Sequence, residues 1–197
     1  SLASAGASVT SRVEGEVRSA LGEAGVDAAV WNPEAAADQR FKALVFDASG
    51  IRSSGELRWL REFFGPAIRR VERSGRVVVL GTPPDRCSSP QEATAQRALE
   101  GFVRATGKEV RRGATAQLVY VEPGGERAIE STLRFLLSPR SAYVSGQVIR
   151  VGAPVADLPV ASPAWDWERP LHGTVALVTG ASRGIGERVA EVLARDG

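Results

Sequence analysis

Apolar residues along this chain follow two alternating patterns. Short continuous apolar runs are separated by longer segments whose apolar positions fall three or four residues apart, as buried strands and amphipathic helices require. Residues 9–21 (VTSRVEGEVRSAL) place Val9, Val13, Val17 and Leu21 on one helical face before Gly22 and Gly25, so a helix is predicted there. Val26 to Trp31 reads as a short strand stopped by Asn32-Pro33, and Ala43 to Phe46 as a strand buried on both faces. Residues 54–73 carry a stripe of Leu57, Leu60, Phe64, Ile68 and Val71, with Pro66 predicting a kink or break near Gly65. A strand from Val77 to Leu80 is closed by Gly81-Thr82-Pro83-Pro84, and a helix is predicted from Ser89 to Val110. A strand over Gln117 to Val121, a Pro123-Gly124-Gly125 turn, a helix over Glu126 to Leu137 and a strand over Tyr143 to Val151 complete the series. Strands alternating with helices imply an α/β domain built on a parallel sheet. Residues 152–170 carry Pro154, Pro159, Pro163 and Pro170 and read as a linker, and Trp165 and Trp167 within it are expected to pack on a domain.

Composition narrows the setting. The 197 residues, 43% hydrophobic, suffice for one full domain or for one domain and part of another. With 25 Lys+Arg against 23 Asp+Glu scattered along the chain, electrostatics gives no reason to expect nucleic acid or a membrane surface as partner. The lone Cys87 cannot form an internal disulfide or a cysteine-based zinc site, so no metal centre is expected and a cytoplasmic setting is the default. No run approaches the roughly 18 apolar residues of a membrane span, and the first 25 residues lack a basic start followed by an apolar stretch. Methionine is absent and only Lys42 and Lys108 are lysine, which reads as codon bias rather than chemistry.

The candidate chemistry lies at the other end. Thr174 to Gly197 reads TVALVTGASRGIGERVAEVLARDG: a predicted strand from Val175 to Val178, a glycine turn, and a helix with Ile185, Val189, Val192 and Leu193 on its inner side. Such an arrangement suits a dinucleotide. Gly180 allows a tight turn, Gly184 lets the backbone approach a pyrophosphate, Gly186 lets helix and strand pack closely, and the helix N-terminal amides face the phosphates. The glycine spacing alone would arise by chance about 0.2 times in a chain this rich in glycine, so the flanking strand and helix carry most of the weight.

VALVTGASRGIG resembles the T-G-x-x-x-G-x-G cofactor motif of the short-chain dehydrogenase/reductases, most closely that of the β-ketoacyl-ACP reductases. The resemblance implies that Gly180, Ser182, Arg183, Gly184, Ile185 and Gly186 line a nicotinamide dinucleotide. It covers residues 171–197 and stops before the second strand, whose terminal residue in this family chooses between NAD and NADP.

Residues 42–151 resemble, more faintly, the later part of the same family. KALVFDASGI is similar to its strand and N-N-A-G-I turn, with Asp47-Ala48-Ser49-Gly50 in place of the motif. GPAIRRVERSGRVVVLGT resembles the segment leading to the catalytic serine, with Gly81-Thr82 at its end. ALEGFVRATGKEV, YVEPGG and LSPRSAYVSGQVIRVGA resemble the helix after the active site, the P-G turn and the closing strand. Family members carry Tyr-x-x-x-Lys just before the A-L-x-G-F helix, the Tyr protonating the carbonyl oxygen and the Lys lowering the Tyr pKa. Counting back from Ala98-Leu99-Glu100-Gly101-Phe102 puts Glu92 and Gln96 at those positions, and no Tyr-x-x-x-Lys occurs anywhere in the chain. No catalytic residue is therefore expected within it.

A worn reductase-like domain followed by an intact one resembles the high-molecular-weight β-ketoacyl-ACP reductases. That resemblance implies a doubly wound parallel sheet, flavodoxin-like or Rossmann-like, in a non-catalytic domain over residues 1–151. A linker over 152–170 and the first β-α unit of an NAD(P)-binding ketoreductase domain over 171–197 would follow. It further implies reduction of a 3-oxoacyl thioester on ACP or CoA, with NAD(H) favoured and NADP(H) possible, by a homo-oligomer whose catalytic residues lie beyond Gly197. The alternative is a non-catalytic α/β module for oligomerisation or acyl-carrier docking. His172 is expected to be a surface residue and Cys87 a plain loop thiol. Arg69-Arg70 and Arg111-Arg112 are expected on solvated helix faces, with phosphopantetheine or CoA phosphates as the sharper alternative, and SLASAGAS reads as a flexible end.

Overall fold

A computed structural model describes residues 9–12, 28–30, 40–153, 166 and 168–197, the first two stretches by their backbone. The chain divides into two compact units, Ser1–Leu158 and Pro159–Gly197.

The first unit is built on six parallel strands: β1 (Val9–Arg12), β2 (Ala28–Val30), β3 (Phe41–Asp47), β4 (Val71–Gly81), β5 (Thr115–Val121) and β6 (Gln147–Val151). Their order in the sheet is β2-β1-β3-β4-β5-β6. Direction reverses between β1 and β3, the doubly wound arrangement whose switch point lies between those strands. Helices α1 (Arg58–Ala67), α2 (Pro90–Glu109) and α3 (Ile129–Leu137) connect the later strands. The α/β fold with a parallel sheet is the one expected from the alternation of apolar runs.

Period-two alternation divides each central strand between two layers. Leu44 and Phe46, Val77 and Val79, and Leu118 and Tyr120 face α1 and α2, where they meet Leu60, Phe63, Phe64, Leu99 and Val103. Ala43 and Val45, Val78 and Leu80, and Val119 face Ile129, Leu133 and Leu136 of α3. A continuous run such as VVVL is apolar throughout because both of its faces are covered. Phe46, Phe63, Phe64 and Phe102 form an aromatic cluster with centroid separations of 4.8–5.8 Å.

Helix α2 follows its sequence signals closely: Ser89 is the N-cap, its hydroxyl accepting from the Glu92 amide, and Pro90 occupies the first turn. Pro66 lies in the last turn of α1, which tightens into a 3-10 turn over Ile68–Arg70 before β4 begins at Val71.

Several expectations are corrected. Residues 9–12 are a strand rather than the start of a helix, pairing in parallel with both β2 and β3. Two ladders satisfy their backbone groups at once, which outweighs a helical spacing in a segment rich in β-branched and hydroxyl side chains; residues 13–27 lie outside the described residues. The final strand begins at Gln147 rather than Tyr143, whose side chain is fully exposed. The linker residues 154–165 and Trp167, and the opening SLASAGAS, lie outside the described residues.

In the second unit, helix α4 (Gly184–Asp196) is present as expected. Its end is tied to the turn before it, the Leu171 amide donating to the Asp196 carbonyl (2.9 Å) and the Arg169 guanidinium to that of Gly197 (3.1 Å). Residues 174–178 carry no regular secondary structure. Val175 and Leu177 are 100% and 93% exposed, so the strand predicted at Val175–Val178 is not formed. A strand needs a neighbour to hold its amides, and none of the described strands pairs with it.

Candidate functional site

The glycine turn of the second unit has the local geometry its sequence calls for. Gly180 and Gly184 adopt φ of +67° and +68°, a region that side-chain-bearing residues rarely enter. Gly186 faces the turn so closely that a Cβ there would stand 2.2 Å from the Gly180 carbonyl oxygen. The three glycines thus serve different ends: two bend the chain, and the third lets α4 close against the bend. Arg183 is the N-cap of α4 in an extended conformation, and no side chain caps the helix. The first amides of α4 are left for an outside acceptor, at the positive end of the helix dipole. Ser182, Arg183, Gly184 and Ile185 are exposed and Gly186 half-buried around this opening. Positive-φ glycines beside uncapped helix amides are the features a phosphate-binding turn requires. Ile185, expected to face inward, is instead 86% exposed, because no described strand of this unit covers that side of the helix.

The equivalent edge in the first unit is filled by its own side chains. Gln96, fully buried on α2, donates through Nε2 to the carbonyls of Ala48 (2.8 Å) and Ile51 (2.9 Å). Its Oε1 accepts from the Thr82 amide (2.9 Å). One amide side chain therefore ties the loops after β3 and β4 to α2. Gly81, at the end of β4, leaves room for this contact: a Cβ there would meet Gln96 Oε1 and Leu99 Cδ1 at 2.8 Å. The Tyr120 hydroxyl donates to the Gln96 main-chain carbonyl (2.9 Å), and burial together with the Glu100 carboxylate pushes its pKa well above the usual phenol range. This phenol is tied to the backbone of α2.

Glu92 is committed to the helix start. Its carboxylate accepts from the Ser88 amide (2.9 Å) and hydroxyl (2.6 Å), which holds it below the ordinary carboxylate range. At the switch point, Asp47 ends β3 and accepts from the Ser49 amide (2.9 Å), while burial raises its pKa against the pull of that bond. Cys87 donates weakly toward the Pro83 carbonyl, and burial, then Glu92 and Asp85, raise its pKa, so its thiolate is disfavoured. His172 is exposed, in keeping with a surface role. The sequence reading missed the clamp made by Gln96 and Tyr120; the combination of a buried polar position on an apolar helix face with Gly81 opposite was its only trace.

Searches for related proteins separate sequence from shape. No protein-family model and no curated protein matches the chain. Solved structures do match: a short-chain dehydrogenase/reductase from Serratia marcescens superimposes with a TM-score of 0.56 at 15% identity over 74% of this chain and 94% of that one. A candidate β-ketoacyl-ACP reductase matches with a TM-score of 0.57 at 16% identity, over 75% and 96%. BdcA in complex with NADPH gives 0.55 at 14%, over 74% and 93%. The fold is that of the short-chain dehydrogenase/reductases. At such identities the likeness extends to the fold and no further. No described helix is long and apolar enough to cross a membrane.

Proposed function

We propose that this chain is part of an NAD(P)H-dependent 3-oxoacyl thioester reductase. In this reading residues 1–151 form a non-catalytic module, residues 152–170 a linker and residues 171–197 the opening of the nucleotide-binding domain. The observation that carries it is the glycine turn, with two positive-φ glycines, a third pressed against the Gly180 carbonyl, and an uncapped helix start. Amides of Gly184, Ile185 and Gly186 would hold the pyrophosphate, with Ser182 and Arg183 flanking it. The bound nicotinamide would supply hydride to the β-carbonyl of a thioester on ACP or CoA. Among the described side chains, Gln96 and Tyr120 are spent on the backbone and Glu92 on the helix cap, which supports placing the proton donor outside the first unit. NAD(H) is favoured, NADP(H) remains compatible, and a homo-oligomer in the cytoplasm is the expected form.

This 197-residue chain should show no turnover of an acetoacetyl thioester with NADH or NADPH. The protein extended past Gly197 should reduce it, and Gly186→Ala, which drives a methyl group into the Gly180 carbonyl, should lower its nucleotide affinity by at least about tenfold. An extended protein inactive with both nucleotides would defeat the proposal. It would leave the second reading, an α/β module for oligomerisation or acyl-carrier docking, which the filled strand edge of the first unit favours.

A further inference from the structure

One arginine of the first unit is buried without a carboxylate beside it. Arg76 stands where β4 pairs with both neighbours, opposite Ala43 of β3 and Thr115 of β5, and only 4% of it is exposed. Arg134 and Arg150, both more exposed, have Glu130 and Asp85 as partners, whereas no described carboxylate makes an ion pair with Arg76. Its Nε donates to the Ser138 carbonyl (3.3 Å) and the Ser141 hydroxyl (3.1 Å), and its Nη1 to the carbonyls of Ser74 (2.7 Å) and Gly75 (3.2 Å). Nη2 has no acceptor among the described residues.

A second donor is left over next to it. Thr115, 3% exposed, is the register partner of Arg76, so the two side chains leave the same face of the sheet on adjacent strands. Among the described residues, its Oγ1 is the one buried side-chain polar atom with no hydrogen-bond partner. The same face continues into Val78 and Val119, which pack against α3.

We propose that Arg76 and Thr115 together hold a small monatomic anion of the halide class. Two leftover donors with no leftover acceptor call for a guest that only accepts, and a buried cation without a counter-charge favours one that carries negative charge. Water would accept from both donors but would turn its own hydrogens toward the apolar layer and leave the charge uncompensated. The adjacent strands lie about 4.8 Å apart, a span that one ion of halide size bridges and that a phosphate or sulfate overfills. Filled, this site ties the starts of β4 and β5 to the turn after α3. It belongs to the first unit and stands whether or not the glycine turn holds a dinucleotide.

The test compares melting temperatures in sodium chloride, sodium bromide and sodium gluconate at equal ionic strength. Chloride and bromide should raise the melting temperature by about 3 °C or more over gluconate, along a saturating curve. Thr115→Ser, which keeps the hydroxyl, should keep that dependence. Thr115→Val, nearly the same in shape, should abolish it and be less stable than the parent in chloride. Crystals soaked in bromide should show an anomalous peak between the two side chains. Absence of a saturable halide effect, a halide effect that survives Thr115→Val, or no bromide peak would each overturn the proposal. So would a Thr115→Val protein more stable than the parent in every salt, the result that removing a merely unpaired hydroxyl gives.

Discussion

Replacing Gln96 is the sharpest probe of the first unit. Gln96→Ala removes a hydrogen-bond partner from three main-chain groups at once, the Ala48 and Ile51 carbonyls and the Thr82 amide, of which the Ala48 carbonyl still accepts from the Ile51 amide. Leaving a buried polar group unpaired costs about 1–3 kcal/mol, so one carbonyl and one half-buried amide, with some relaxation, predict a loss of about 2 kcal/mol. With a urea dependence of about 2 kcal/mol per molar, the unfolding midpoint should fall by about 1 M. The Thr82 amide should also lose its protection from hydrogen exchange, a local readout that a general loss of stability would not single out. Gln96→Glu makes the test specific. Its carboxylate can still accept from Thr82 but, when ionised, faces two carbonyls it cannot bond. Burial without a cation raises its folded pKa above the unfolded value, so the folded state binds more protons and stability falls as pH rises between the two. A midpoint shift below about 0.3 M for Gln96→Ala, or a flat pH profile for Gln96→Glu, would refute the idea that this side chain clamps the strand edge.

Two further expectations follow from the same unit. Burial raises the Asp47 pKa, so its protonated form is favoured in the folded state; the contribution of this carboxyl to stability is full below the unfolded value near 3.8 and is lost as pH rises through the folded one. Asp47→Asn, which keeps an acceptor for the Ser49 amide, should flatten that part of a plot of melting temperature against pH. Ser89→Ala deletes the acceptor at the N-cap of α2 and should cost about 1 kcal/mol by chemical denaturation, whereas Ser89→Asp should restore most of it.

Much of the fold could be read from the chain because local and tertiary preferences agree. The bounds of α2 were marked by Ser89, Pro90 and the loss of periodicity at Val110, and β3, β4 and β5 by apolar runs that only a sheet covered on both faces tolerates. The glycine turn was equally legible, since positive φ at Gly180 and Gly184 and the close approach at Gly186 are requirements that glycine alone meets. Where the reading failed, a partner distant in sequence was decisive. Val9, Val13 and Val17 share a helical spacing, yet Val9–Arg12 is a strand because β2 and β3 flank it.

Sequence alone determined the alternation of strands and helices, the turn chemistry and the absence of a Tyr-x-x-x-Lys pair, because each is set by residues within a few positions of one another. Tertiary structure decided what Gln96 holds and which arginines share a cleft. Gln96 holds two carbonyls of one loop 45 and 48 residues away and an amide 14 residues away, and Arg69 and Arg112 line one cleft between α1 and α2. Hydrogen bonds and charges act over a few ångströms whatever the separation along the chain, so their pairing is settled only when the sheet has brought those segments together.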